Sequence, residues 1–217
     1  MGKTMGKSIF EKLTFTAAVL FLALVFSFVP VLKAEADEIT ITASVWNQQS
    51  SPDIATTADG SLTIIIDENI EIHSIDVPNA DVTIKSSNNT TLTVNHFLAD
   101  SVTIEGGNVL LSEYADCDTI NITGGNLSVE SCGLVLDNLF INGGTVVIGT
   151  GATISGLDQF SIASGSFKHN SETDAPGLEC SDVEISGGEV EVSSVNAPGP
   201  YAYEQRNRGG TLHRNAC

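Results

Sequence analysis

The phrase Gly-Gly-x-apolar-x-apolar occurs four times in this chain, at Gly106–Leu111, Gly124–Val129, Gly143–Ile148 and Gly187–Val192. Ser164-Gly165-Ser166-Phe167 is a degraded copy. Each copy follows a short run ending in an isoleucine: Ile104, Ile122, Ile141, Ile162 and Ile185, with Ile64 and Ile84 extending the series backwards. From Ile64 the successive spacings are 20, 20, 18, 19, 21 and 23 residues. A period near 20 marks a solenoid, in which each unit buries its apolar face only against the units above and below.

The pattern inside one period says which solenoid. Val102/Ile104, Ile120/Ile122, Leu139/Ile141 and Val183/Ile185 alternate with polar or mixed residues, as on a strand with one buried face. After the glycines a second pair alternates the same way: Val109/Leu111, Leu127/Val129, Val146/Ile148 and Val190/Val192. A third inward pair precedes the next isoleucine: Phe97/Ala99, Ala115/Cys117, Leu134/Leu136 and Leu178/Cys180. Three short strands per period and no helical pattern predict an all-β fold, a right-handed single-stranded parallel β-helix of about seven coils of 18–23 residues. The handedness follows from the strong bias of parallel crossovers. Leucine-rich repeats share the period but need a leucine–asparagine scaffold that is absent here. The glycine pairs suit sharp corners between strands, where φ > 0 is required, and Asn88-Asn89 marks a looser corner in an earlier coil.

Four segments follow. Lys3, Lys7 and Lys12 precede an apolar run from Ala17 to Leu32, and Ala34-Glu35-Ala36 offers a small-x-small cleavage site. Residues 1–36 therefore read as a signal peptide, with the mature chain starting at Asp37 and exported. No cysteine follows the cleavage site, which argues against a lipoprotein. Residues 37–60, with Trp46 and Pro52, are expected to form an N-terminal cap or first coil; residues 61–194 form the β-helix; residues 195–217 are expected to be an irregular tail. With no apolar cap visible after Val192, unpaired strand edges there invite end-to-end self-association.

Charge removes several function classes. The chain carries 27 acidic and 9 basic residues, a formal net charge of −18. Between Asp37 and Pro200 the only fixed positive charges are Lys85 and Lys168. Such a surface repels nucleic acid and anionic membranes, so neither is an expected partner once the signal peptide is removed. The arginines of the tail, around Gly209-Gly210, are a weak signal by themselves.

The four cysteines, Cys117, Cys132, Cys180 and Cys217, tempt a disulfide reading in an exported chain. Cys117 and Cys180 share one inward slot but lie three coils apart, roughly 14 Å at about 4.8 Å per coil, which is beyond bridging distance. They are read as small apolar fillers of a core column. No spacing suggests zinc.

Four residues before each anchoring isoleucine stand Asp100, Asp118, Asp137 and Asp158. Stacked in register, they would form a column of carboxylates about 4.8 Å apart. Two accounts stand at this point: each aspartate caps its own corner through an Asx turn, or Ca²⁺ bridges neighbouring rungs with Asp116 or Asn138 adding oxygen ligands. Thr63, Thr83, Thr103 and Asn121 form a second outward column. Phe140 and Glu184 break it, and threonine is simply a good strand former, so an ice-binding array is not expected.

With these residues in view, the chain resembles secreted bacterial right-handed parallel β-helix repeat proteins of the pectin-lyase-like fold. They carry runs written I-x-G-G-x-[VIL]-x-[VIL], as in Ile122-Thr123-Gly124-Gly125-Asn126-Leu127-Ser128-Val129. The resemblance covers roughly Ser61 to Ser194 and implies a carbohydrate-binding module for acidic polysaccharide, calcium-assisted on the helix surface. Matrix adhesins share the motif equally well. No family binding residue carries over to a position here.

The same fold houses polysaccharide lyases, which need a basic residue to remove a proton beside the substrate carboxylate. The coil body offers only Lys85, Lys168, His73, His96 and His169, and no arginine. Lys168–Asp174 gathers mixed chemistry and reads as a solvated excursion from the coil. The expectation is thus a non-catalytic extracellular β-helix that binds polysaccharide for surface attachment. A structural adhesin stalk is the first alternative and a lyase-like enzyme the second.

Overall fold

A computed structural model of the protein describes residues 39–42, 53–55, 60–171, 178–194 and 201–216, all within one compact unit, Lys33–Cys217. The expected signal peptide, Trp46, Pro52 and Cys217 lie outside these residues.

Alternating apolar residues become strands wherever the run allows. The first are β1 (Ile39–Thr42), β2 (Asp53–Ala55), β3 (Gly60–Ile65), β4 (Ile70–Lys85) and β5 (Thr91–Ile104). The middle of the chain gives β6 (Asn108–Ile122), β7 (Asn126–Val129), β8 (Gly133–Ile148) and β9 (Thr153–Ser155). The last are β10 (Gln159–Ser171), β11 (Glu179–Ile185), β12 (Glu189–Ser194), β13 (Tyr201–Asn207) and β14 (Thr211–Ala216). They join in one 14-stranded sheet that winds through about 7 turns. The long pairings are parallel, β4 with β5, β5 with β6 and β8 with β10. The protein is an all-β parallel solenoid, and no described residue is helical.

The ladder supplies the register that the isoleucines implied. Ile64 pairs with Ile84, Ile84 with Ile104, Ile104 with Ile122, Ile122 with Ile141, Ile141 with Ile162, and Ile162 with Ile185. None of these seven is more than 1 % exposed. Burying one such side chain contributes about 1.5–3 kcal/mol, and a stack of like residues fills a core of constant cross-section without voids. Phe160 and Phe167, both buried, meet edge to face in the core with ring centroids 5.0 Å apart. Cys117, Cys132 and Cys180 are buried free thiols, as a filler role requires. Burial pushes the Cys117 thiol up to about 12.

Both glycines of a pair answer close approach, and the second also turns the corner. A Cβ on Gly124 would lie 2.6 Å from the carbonyl oxygen of Glu105 on the rung below, and one on Gly125 would lie 2.5 Å from that of Gly107. Gly125 adopts φ of 73° as well. In the earlier coil, hydroxyls replace this packing: Ser86 Oγ donates to the Ile66 carbonyl at 2.9 Å and lies 2.8 Å from Thr90 Oγ1.

Two expectations differ from the structure. The tail expected to be irregular contains β13 and β14, which pair in parallel with β11 and β12. Alternation continues through Thr211-Leu212-His213, but charged residues in the register slots hide it. Of the solvated excursion expected over Lys168–Asp174, Lys168 to Ser171 belong instead to β10, and residues 172–174 lie outside the described residues. His169 takes an inward slot, paired in register with Ile148 and Val192, and is 4 % exposed.

Candidate functional site

Apolar residues point inward, so chemistry can reside only on the outer faces and at the corners. Two corners gather it.

The first carries the aspartate column. Ala99 pairs with Cys117 and Ser101 with Thr119, which sets Asp100 above Asp118. Cys117 pairs with Leu136 and Thr119 with Asn138, which sets Asp118 above Asp137. The Asp158 amide donates to the Asp137 carbonyl at 2.8 Å. All four side chains are exposed. Asn138 Nδ2 donates to the Asp118 carbonyl at 3.4 Å, and Ser181 Oγ donates to Asp158 Oδ1 at 3.4 Å.

At its upper end the column borders a groove of about 650 Å³ lined by Gly60, Ser61, Pro78, Asn79, Asp81, Asp100 and Asp118. A bulge makes it. Val77 pairs with Ala99 and Asp81 with Ser101, so Pro78, Asn79 and Ala80 stand opposite the single residue Asp100. Proline has no amide hydrogen for the ladder, which places it at such an irregularity, and buried Ala80 anchors the loop to the core. Asp81 accepts a hydrogen bond from Ser101 Oγ. Asp81 escaped the sequence reading because it stands three, not four, residues before its isoleucine, in the slot of Ser101 beside the column rather than in it.

Carboxylate, amide and carbonyl oxygens are the donors calcium prefers. The fit is incomplete, because each rung supplies one carboxylate about 4.8 Å from the next. Among the described residues no group of three or more His, Cys, Asp or Glu side chains is placed to hold a metal. The column alone is not a calcium cage.

The second corner is aromatic. His96 pairs in register with Tyr114, and Tyr114 with Gly133. Between Val94 and His96 the register slips, so that Ser112 and Glu113 face Asn95 alone. Ser112 Oγ donates to Asn95 Oδ1 at 2.8 Å, and the displaced Glu113 places Oε2 2.8 Å from His96 Nε2. The His96 ring meets His73 edge to face at 5.5 Å. Tyr114 is 42 % exposed, and its hydroxyl donates to Asp116 Oδ2 at 3.0 Å. That hydrogen bond, more than burial, raises the phenol above its ordinary pKa. Only register assembles this corner; in the sequence Tyr114 is one tyrosine among small and acidic neighbours.

The basic side chains of the coil are engaged. Lys85 Nζ lies 3.3 Å from Glu105 Oε2, and Lys168 Nζ lies 3.0 Å from Glu191 Oε2, each on a neighbouring rung. Such exposed pairs contribute under about 1 kcal/mol each. His169 is buried, and neither ring nitrogen makes a well-formed hydrogen bond, the Ala152 backbone offering only a weak one. Burial lowers its pKa, with the backbone of Ala152 opposing weakly.

Fold and corners define the class: a parallel β-solenoid with an apolar interior and two polar outer corners. Compared with family models, curated proteins and solved structures, the chain matches none.

Proposed function

We propose that the protein is an exported, non-catalytic module that binds polysaccharide along the outside of its coil. The observation that carries this reading is the open groove beneath the Pro78–Asn79 bulge, where Asp100 and Asp118 on successive rungs, with Asp81 one position to the side, offer hydrogen-bond acceptors. A ligand made of repeating units suits a surface made of repeating rungs. The engagement of Lys85 and Lys168 by glutamates, and the burial of His169, favour binding over lyase chemistry, which needs a free base at the substrate. The same reading takes the coil as right-handed and of the secreted bacterial type, on the strength of the Ile-x-Gly-Gly repeat.

In the calcium-assisted form of the proposal, paired aspartates of adjacent rungs hold part of the ion's shell. An acidic sugar and water complete it. The test is a glycan array probed with and without calcium, run beside an assay for unsaturated sugar products. Retention of a polysaccharide without product formation is expected. Product formation, or no retention of any glycan in either condition, would sink the reading.

A structural stalk is the second reading, favoured by side chains that bond rung to rung. Asn126 Nδ2 donates to Asn108 Oδ1 at 2.8 Å and Asn108 Nδ2 to Asn89 Oδ1 at 3.2 Å, a ladder along the axis. End-to-end association of coils would lengthen such a stalk.

A further inference from the structure

We propose that Tyr114 and the recess over Gly133 form a stacking subsite for one uncharged pyranose unit of a polysaccharide. This rests on the polysaccharide-binding reading but places a contact on a different corner from the aspartate groove. It also assigns that contact a different sugar chemistry.

The argument begins with exposure. Among the described residues, Tyr114 and Ile65 are the large hydrophobic side chains left open to solvent. An aromatic ring combines a flat apolar face with a polar tip, and that pairing suits a sugar ring, whose carbon–hydrogen face is apolar and whose edge is hydroxylated. The Tyr114 ring is held by its bond to Asp116, 3.0 Å away, so little side-chain freedom is lost on binding.

The rung beside it is shaped to leave room. Gly133 pairs with Tyr114, and a Cβ there would meet nothing nearer than Thr153 Oγ1 at 3.9 Å. Unlike the corner glycines, Gly133 is not among the residues with positive φ, and no backbone atom crowds it. Neither strain nor close approach therefore requires glycine at this position. Its effect is an open recess bounded by an aromatic ring on one rung and a threonine hydroxyl on the next.

The rim supplies what sugar hydroxyls need. Asp116 and Glu113 accept, Thr153 both donates and accepts, and His96, held against Glu113 at 2.8 Å, adds a further polar edge. No lysine or arginine stands beside Tyr114 in the rungs paired with it, and the chain as a whole is strongly acidic. A uronic acid placed here would meet two carboxylates and no fixed positive charge, so charge excludes an acidic sugar. The engagement of Asp116 by Tyr114 and of Glu113 by His96 leaves neither carboxylate free to seek a cation.

The experiment compares the full chain with Tyr114→Ala and Gly133→Val against neutral, aminated and acidic oligosaccharides in calorimetry. Gly133→Val suits the test because the site has room for a Cβ and valine favours strands. It fills the recess while Tyr114 stays in place. For the neutral oligosaccharide, Tyr114→Ala is expected to weaken binding about tenfold or more, and Gly133→Val comparably. Circular dichroism and melting should stay near the parent's for both. Unchanged neutral-sugar binding in both variants overturns this subsite and leaves the broader reading standing, as does binding of the acidic oligosaccharide alone. Stronger binding of the aminated sugar than the neutral one would overturn the neutral assignment. A full chain that binds none of the three overturns both proposals.

Discussion

The corner of the glycine pairs and the corner of the aspartates repeat with the same period, yet they do opposite things. At the glycine corner the backbones of successive rungs touch: a Cβ on Gly124 would meet Glu105 O at 2.6 Å, and one on Gly143 would meet Thr123 O at 2.6 Å. Nothing but backbone fits at these positions, so glycine is dictated in the rungs that carry the pair. At the aspartate corner the side chains leave the coil into solvent, and the backbone accepts a two-residue bulge at Pro78–Asn79. One corner is built by exclusion and the other is free to vary. In a solenoid, repetition of the first kind reports on packing, whereas repetition of the second kind is where binding can be elaborated.

This contrast can be broken in order of expected size. Ile122→Ala, in the inward column, should cost about 2–5 kcal/mol through lost burial and a cavity. The outward neighbour Asn121→Ala should cost under about 0.5 kcal/mol. Urea melts of both variants check the register, and similar losses would contradict it.

Next comes the glycine corner. Gly124→Ala forces a methyl against a backbone carbonyl, and Gly125→Ala places alanine at φ of 73°. Each should cost about 1–3 kcal/mol. Gly133→Ala, at an open position in the same strand system, should be neutral or stabilising by up to about 1 kcal/mol. Equal losses at all three would remove the distinction between close-approach glycines and open ones.

A smaller effect appears on acidification. His169 has its pKa lowered by burial. At neutral pH both folded and unfolded states hold it uncharged, so it adds no pH dependence. As pH falls below the unfolded value of about 6.5, the unfolded chain takes up a proton before the folded one does, and stability declines until the folded pKa is passed. His169→Leu should flatten that part of the stability curve. It should also raise stability at neutral pH by about 1 kcal/mol, since the buried ring makes no well-formed hydrogen bond. Melting temperatures of both proteins across this range provide the check, and parallel curves would refute it.

The smallest effect belongs to the aspartate corner. Without calcium, Asp118→Asn should be neutral or stabilising by under about 1 kcal/mol, because a carboxylate lies on the rung to either side. With millimolar calcium the sign reverses if the ion bridges the column, since the substitution removes a ligand from the folded state. A melting temperature of the parent that ignores calcium altogether would leave only charge repulsion at this corner.

Much of the architecture was legible because a solenoid makes its long-range contacts at a fixed distance along the chain. Ile64, Ile84, Ile104 and Ile122 recur at the period of the coil, so their stacking could be read before any strand was placed, and so could that of Asp100, Asp118 and Asp137. Irregularity hid the rest. Asp81 joins the groove only because Pro78 and Asn79 bulge out, and Glu113 reaches His96 only because the register slips beside Asn95. His169 looked like loop chemistry among Lys168, Asn170 and Ser171, yet alternation carries it into a core slot between Ile148 and Val192.

The sequence by itself determined the all-β parallel coil, its period, its inward columns and its glycine corners, because each follows from alternation and from which residues tolerate a sharp turn. The tertiary structure alone decided which outward side chains become neighbours where the period is broken. Outward positions are not constrained by packing, so their pairing depends on bulges that shift the register by a residue or two. The groove at Asp81 and the Glu113–His96 contact both come from that source.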